Sequence, residues 1–480
     1  MFISAFRKIL IFLLLFLVSC ATNPVTGKRE LMLVSESQEL KLGKDASPSL
    51  NWEFGGQYRD PALESYLNKI VKSIWQNSER PHLPVKFYIQ NTSLPNAFAL
   101  PGYVAITRGL LSDLENEAQF AAIMGHETGH VMARHTAQRL SHVTLQQMGL
   151  AIGGAVLKET RGADTLLSIG AMGTSLLLLK YSRAQEIQSD RLGVQYMAVL
   201  GYDPQEALRA HKMLELSLEL SVDKYLKIQG KSRSKDSLIN NLMSTHPRTE
   251  VRLEEIQAMI DELPAHSIKA DGKFSSRFQS SLTGIKEINK VYFIYDEAEN
   301  YYKQGNFKAA EQKLNNAIVF NDKQAPFYNL SGFVKLQQKN FTEAKKLFNK
   351  ALSIYPGYQP SIYGLGLVHY YQKDYKTAIQ EFKKSIGLYP NHAGSHFGTG
   401  KSYFSTNRHM EAVPYFKNFA GAAPNNPEVH GLLGICYEKT ENLKGAVSEY
   451  QYQLKIAPDT ELGVYARERL AVLEPRLKKQ

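Results

Sequence analysis

From Asp60 to Ile74 the apolar residues Leu63, Tyr66, Leu67, Ile70, Val71 and Ile74 recur with a period near 3.6, which predicts an amphipathic helix opened by Asp60-Pro61. Val85, Phe87 and Ile89 alternate with other residues, so the next element is expected to be a strand. Pro101-Gly102 predicts a turn into a second strand, Tyr103 to Thr107. Helical spacing returns at Phe120, Ile123, Met124 and Val131, and Ser112-Asp113-Leu114-Glu115 ahead of them has the form of a capping box. Two uncharged runs follow, 143–157 and 165–179, parted by Lys158 to Arg161 and Asp164. Each would reach about 22 Å as a helix, short of a hydrocarbon core of about 30 Å. Their glycines, 149, 153, 154, 170 and 173, suit close packing, so two buried or membrane-brushing helices are expected rather than a spanning hairpin. The loop joining them is placed to act as a lid. Lys224 to Ser237 is basic and serine-rich, which predicts a flexible loop, and a second break falls near 263–285.

The last third of the chain repeats itself. Gly332, Gly366, Gly400 and Gly434 recur every 34 residues, as do Ala344, Ala378, Ala412 and Ala446, and Pro356, Pro390, Pro424 and Pro458. Phe348, Phe382, Phe416 and Tyr450 stand four residues after each alanine. This period and residue pattern is that of the tetratricopeptide repeat, in which small residues let paired helices pack closely and the proline ends the second helix. A weaker copy at 291–324 keeps Ala298 and Ala310 but has Asp322 at the proline position. Five repeats over 291–460 and a capping helix at 461–476 are therefore expected.

Composition adds little until the N-terminus is considered. Arg7 and Lys8 precede an apolar run from Ile9 to Val18, as in a secretory signal. The run ends Leu17-Val18-Ser19-Cys20, which resembles the lipobox of bacterial lipoproteins and would make Cys20 the lipidated first residue of the mature chain. Asn23 to Leu31 resembles the mature start of similar lipoproteins. Alanine rather than aspartate at position 21 implies, by analogy, sorting to the outer membrane of a Gram-negative cell. Several acyl chains would make such an anchor stable, since one binds only marginally. Cys436 is the only other cysteine, so acylation of Cys20 leaves no intramolecular disulfide, and Cys436 is expected to be a buried small apolar residue. Net charge is +11, of which the expected signal contributes two, a balance suited to an anionic membrane surface. No basic stripe interleaved with aromatics suggests nucleic acid, and an exported protein would not meet it.

The chemistry-bearing stretch is His126-Glu127-Thr128-Gly129-His130, an H-E-x-x-H pattern. On a helix the two histidines stand one turn apart on one face and can bind one cation, while Glu127 lies about 100° round, able to reach the attacking water without becoming a ligand. Polar groups of this kind are costly on a buried helix unless paired or metal-bound. One zinc ion per chain and metal-assisted hydrolysis of a peptide bond are the expected cofactor and chemistry. A strand beside this helix could accept an extended substrate by backbone pairing, or serve only as scaffold. A third protein ligand is needed. Glu186 and Asp190 are four apart and share a helical face, so Glu186 could bind the metal and Asp190 orient a ligand imidazole. The same residues would equally suit a solvated acidic face paired with Arg183 and Arg191.

Taken together, HETGH, Arg134-His135, the E-x-x-S-D run at 186–190, Thr245-His246-Pro247 and the segment Asn96 to Gly102 leading into Thr107 to Leu110 resemble the gluzincin family of HtpX and the Ste-type CAAX prenyl endopeptidases. Within it, the resemblance is greatest to the periplasmic members with a C-terminal repeat domain, the BepA group, and it covers roughly residues 23–255. Ser189 departs from the alanine usual in the family. The resemblance implies zinc on His126, His130 and Glu186, Glu127 as general base, and Asp190 as proton donor or as a carboxylate behind a ligand. It also gives His246 a role: as a fourth ligand that displaces the catalytic water and holds the enzyme latent, or as a hydrogen-bond donor to the oxyanion. The latch is favoured, since a protease among unfolded exported chains would otherwise cut indiscriminately.

The expected fold is an α+β zinc metalloprotease domain, mostly helical with a small sheet, followed by an all-α tetratricopeptide solenoid. The expected divisions are a signal at 1–19, a lipidated segment at 20–35, the protease domain at 36–262, a connector at 263–290, repeats at 291–460 and a cap at 461–480. The expected function is that of a lipid-anchored periplasmic endopeptidase in protein quality control, its clients being misassembled or unfolded outer-membrane proteins. The repeats would bind clients or the outer-membrane assembly machinery. The competing class is an assembly chaperone or scaffold with occasional or latent proteolysis.

Overall fold

The computed structural model describes residues 20–152, 181–229 and 250–477. Two compact units divide between Asp296 and Glu297. In the first, a short antiparallel ribbon, β1 (Cys20–Thr22) and β2 (Arg29–Leu31), leads into helices α1 (Glu36–Glu53) and α2 (Pro61–Gln76). The Asp60 carboxylate accepts the Leu63 N–H, and Pro61 fills the first helical position, where it gives up no bond. Of the apolar residues read from the sequence, Leu63, Leu67, Ile70, Val71 and Ile74 are buried, whereas Tyr66 is half-buried and donates its hydroxyl to Glu117.

Strands β3 (Phe87–Gln90), β4 (Ala97–Leu100) and β5 (Tyr103–Thr107) form one sheet in the order β3-β5-β4. The β5 strand runs parallel to β3 and antiparallel to β4. The expected strand at Tyr103–Thr107 is thus central, with both edges taken, and cannot pair with a substrate. Only β3 and β4 lie at the edges of this sheet. Helix α3 (Arg108–Asp113) ends before the long helix α4 (Glu117–Met132) begins. The expected capping box at Ser112 does not form: Ser112 donates to Gly109 O inside α3, and Asn116 caps α4 by accepting the Gln119 N–H at 2.9 Å.

Helices α5 (His135–Ile152), α6 (Arg183–Leu200), α7 (Gln205–Gln229) and α8 (Glu250–Asp261) complete the surroundings of α4. The α7 helix continues through residues 224–229, so that part of the expected loop is helical, and the remainder lies outside the described residues. Most of the two uncharged runs also falls outside them. Among the described residues, no helix is long and apolar enough to cross a membrane. Beyond α8, helices α9 (Ser275–Ser281) and α10 (Thr283–Lys303) bury Phe278, Leu282 and Ile285, and the Lys273 carbonyl accepts the N–H groups of Glu117 and Ala118 at the start of α4.

In the second unit, α11 (Phe307–Phe320) precedes four helix pairs, α12 (Ala325–Gln337) with α13 (Phe341–Ile354), α14 (Gln359–Tyr371) with α15 (Tyr375–Leu388), α16 (Ala393–Ser405) with α17 (His409–Ala422), and α18 (Val429–Lys439) with α19 (Leu443–Ile456), and α20 (Glu461–Leu477) follows them. The alanines and aromatics of the 34-residue pattern are its fully buried centre: Ala344, Ala378, Ala412, Ala446, Phe348, Phe382, Phe416 and Tyr450 all have zero exposure. Their rings fill the room left by glycines. A Cβ added at Gly366 or at Gly398 would come within 2.5 Å of the Phe382 ring, so each aromatic locks its own repeat and the next. Cys436 is buried as expected, and burial pushes its thiol up to about 12. Phe382→Ala is expected to lower the stability of the repeats by about 3–5 kcal/mol. Denaturant-dependent hydrogen exchange of α14 to α16 in the full chain checks this, and protection equal to wild type would show that the site can collapse around the gap.

Candidate metal centre

Every one of the sixteen residues of α4 is buried, because α2, α6, α7 and β4 cover it on all sides. The tightest of these contacts is with α6, and it depends on missing side chains. A Cβ on Gly125 would lie 3.0 Å from the Gly193 Cα, and one on Gly129 would lie 3.0 Å from the Ser189 Cα. The two helices therefore approach backbone to backbone, which sets His126 and His130 directly against Glu186 and Asp190. The α6 helix is fixed at its start by a capping box between Ser182 and Gln185.

His126 Nε2 lies 3.0 Å from His130 Nε2 and 3.6 Å from Glu186 Oε2, while His130 Nε2 lies 3.5 Å from Glu186 Oε1. Donors bound tetrahedrally to one zinc at about 2.1 Å stand about 3.4 Å apart. These three side chains could hold a metal ion with little movement. The protonation of His126 suits it as well. Burial lowers the His126 imidazole to about 4 against the pull of Asp190, so its neutral form is the one present at pH 7. Two imidazoles aiming ring nitrogens at each other at 3.0 Å need a cation or a proton between them.

Asp190 Oδ1 lies 2.7 Å from His126 Nδ1 and accepts its proton, which leaves the Nε2 lone pair facing Glu186. The carboxylate is itself gripped by Arg252 of α8, whose Nη2 and Nε donate to its two oxygens at 2.6 and 2.8 Å. Nη1 of the same guanidinium lies 2.7 Å from Glu186 Oε2. Burial alone would raise Asp190, but His211 and His126, with Arg252 across both oxygens, hold it well below the usual carboxylate range. His211 of α7 brings its Nε2 to 3.3 Å from Asp190 Oδ1. The solvated acidic face weighed for Glu186 and Asp190 is excluded, since both side chains have zero exposure.

Other groups complete the surroundings. Tyr181 stacks on His130 with ring centroids 3.8 Å apart, and Arg139 lies over the Tyr181 ring at 4.6 Å from its centroid. His135 brings its Nδ1 to 2.9 Å from His130 Nδ1. Glu127 is buried at 5 % exposure on the same helix as both histidines. His246 lies outside the described residues. Sequence reasoning did not single out Arg252, His211, Tyr181 or His135 for the centre, because nothing local to them marks their contacts, such as that of Arg252 with Asp190 across 62 residues of chain.

This helix pair with its histidine and carboxylate cluster, followed by a helical-repeat unit, defines a metallopeptidase-type domain ahead of a tetratricopeptide array. Residues 61–260 match the model of peptidase family M48. The tetratricopeptide repeat model matches residues 295–359 and 397–460, and the model of anaphase-promoting complex subunit 3 matches 337–419. Among known relatives, the mitochondrial metalloendopeptidase OMA1 of Arabidopsis thaliana is 29 % identical over 206 residues, covering 42 % of this chain and 41 % of its own. OMA1 of Schizosaccharomyces pombe is 26 % identical, with 50 % and 66 % covered. The beta-barrel assembly-enhancing protease of Escherichia coli O157:H7 is 25 % identical over 270 residues, with 53 % and 50 % covered. The chain thus spans between 41 % and 66 % of the length of these relatives.

Proposed function

We propose that this chain is a zinc endopeptidase acting in quality control of outer-membrane proteins in the periplasm of a Gram-negative cell. The observation that carries the reading is the convergence of His126, His130 and Glu186 donor atoms within 4.8 Å of one another, on helices that also hold Glu127 and Asp190. His126, His130 and Glu186 would hold the metal, which supplies Lewis-acid polarisation of the scissile carbonyl when bound. Glu127 takes a proton from the attacking water and returns it to the leaving amine. Asp190 holds the His126 tautomer, and Arg252 pairs with both Asp190 and Glu186 in the buried site. His246 acts as a latch on the resting site. The repeats bind unfolded or misassembled outer-membrane proteins, or the machinery that assembles them, a reading supported by the name of the beta-barrel assembly-enhancing relatives.

A Glu127→Gln chain expressed in a deletion strain tests proteolysis against scaffolding. The protease reading expects trapped client proteins and failed rescue of outer-membrane assembly; full rescue makes the chain a scaffold. The anchor is tested separately. Cys20→Ser is expected to abolish acylation and move the chain from the membrane pellet to the soluble periplasmic fraction, as read by fractionation and mass spectrometry of the mature N-terminus. A salt-stable pellet for this variant would instead make 143–179 a membrane segment.

A further inference from the structure

The Asp190 carboxylate accounts for the orientation of His126, whereas the group that meets His130 Nδ1 is another imidazole nitrogen. His135 Nδ1 lies 2.9 Å away, and His135 Nε2 lies 2.9 Å from Gln188 Oε1. A neutral imidazole carries one N–H and one lone pair, so the three groups are not independent. If His130 Nε2 keeps its lone pair for a cation, its proton is on Nδ1 and must be donated. His135 Nδ1 is then the acceptor, its own proton sits on Nε2, and Gln188 Oε1 accepts it. The reverse order would leave the Gln188 carbonyl facing a lone pair and would place the His130 proton where the metal is to bind. The Ser189 hydroxyl also approaches His135 Nδ1, at 3.4 Å, but this is beyond the usual range for a hydroxyl bond.

We propose that Gln188 and His135 form a hydrogen-bond relay that fixes the tautomer of His130 and so readies its Nε2 for zinc. This rests on the metal reading above. Two features of the chain support a built device. Gln188 sits between Glu186 and Asp190 on α6, so one helix supplies a ligand and governs both histidines, His126 directly and His130 through His135. The turn that returns His135 to His130 is also enforced. Arg134 between the two helices adopts φ 59°, a left-handed conformation unfavourable for a non-glycine residue. It is held there by the Glu39 carboxylate at 2.9 Å and the Val34 carbonyl at 2.7 Å. His135 itself has zero exposure, so water does not substitute for Gln188 or His130. His135 and Gln188 are positioning residues, which touch neither substrate nor metal.

The test measures zinc affinity of the full chain by chelator competition, with thermal unfolding of each variant alongside. His135→Leu and Gln188→Leu are expected to weaken zinc about 10- to 100-fold, the usual loss when an outer partner of a ligand is removed. His135→Gln, whose amide oxygen can accept the His130 proton, and Gln188→Glu, an obligate acceptor, are expected to stay near wild type. Imidazole nitrogen chemical shifts of the metal-free protein give a second, independent reading: His130 protonated on Nδ1 and His135 on Nε2. The relay is overturned if both leucine variants bind zinc as wild type does, if glutamine and leucine at 135 weaken it equally, or if His130 carries its proton on Nε2. Absence of zinc binding by the wild-type chain would defeat the metal reading instead, and the nitrogen shifts would still decide the relay.

Discussion

Glu127→Gln is expected to retain about one zinc per chain and to lose peptidase activity by about a hundred- to ten-thousand-fold, the range that a positioned general base contributes. The substitution is nearly isosteric, and the metal donors are elsewhere: His126 and His130 one turn apart on α4, and Glu186 on α6. What changes is that an amide cannot take the proton of the attacking water. His126→Ala should behave differently, losing the zinc along with the activity, because it removes one of three donors. Metal analysis of the two purified variants beside a peptidase assay separates these cases. Turnover by the Glu127 variant above about one per cent of wild type would rule out the base role.

How much of this could be read in the sequence follows from where each signal lies. His126, Glu127 and His130 belong to one helical turn, so spacing alone brings them together, and Glu186 and Asp190 share a face of α6 for the same reason. The 34-residue period exposes the repeats because every copy must fill the same gap, as Phe382 does beside Gly366 and Gly398. The order of the small sheet could not be read, since β5 pairs with β3 and β4 through register and burial that no local pattern encodes. The start of α4 was misplaced because Ser112-x-x-Glu115 and Asn116-x-x-Gln119 both suit a cap, and the preceding helix α3 claims Ser112. Gly125, Gly129 and Gly193 look unremarkable until two helices meet there.

Arg252→Met is expected to destabilise the metal-free first unit by about 3–5 kcal/mol, the cost usual when one partner of a buried ion pair is removed. The guanidinium is 4 % exposed and spans two carboxylates of zero exposure, Glu186 and Asp190, with contacts of 2.6 to 2.8 Å. Taking it away leaves two negative groups 4 residues apart on α6 in a dry site, and Asp190 loses both of its guanidinium bonds. Methionine keeps much of the stem's volume, so a packing defect contributes little. That loss is a large part of the 5–15 kcal/mol that holds a typical domain together. Zinc should return part of it, because a cation on Glu186 replaces the charge that Arg252 supplied on that side, while Asp190 is left with His126 and His211 alone. Unfolding of the variant and the wild type, each with and without zinc, therefore gives four stabilities with a definite order. The variant should gain more from zinc than wild type if binding remains intact, and a metal-free loss under about 1 kcal/mol would mean that the two carboxylates protonate at little cost when the arginine is gone.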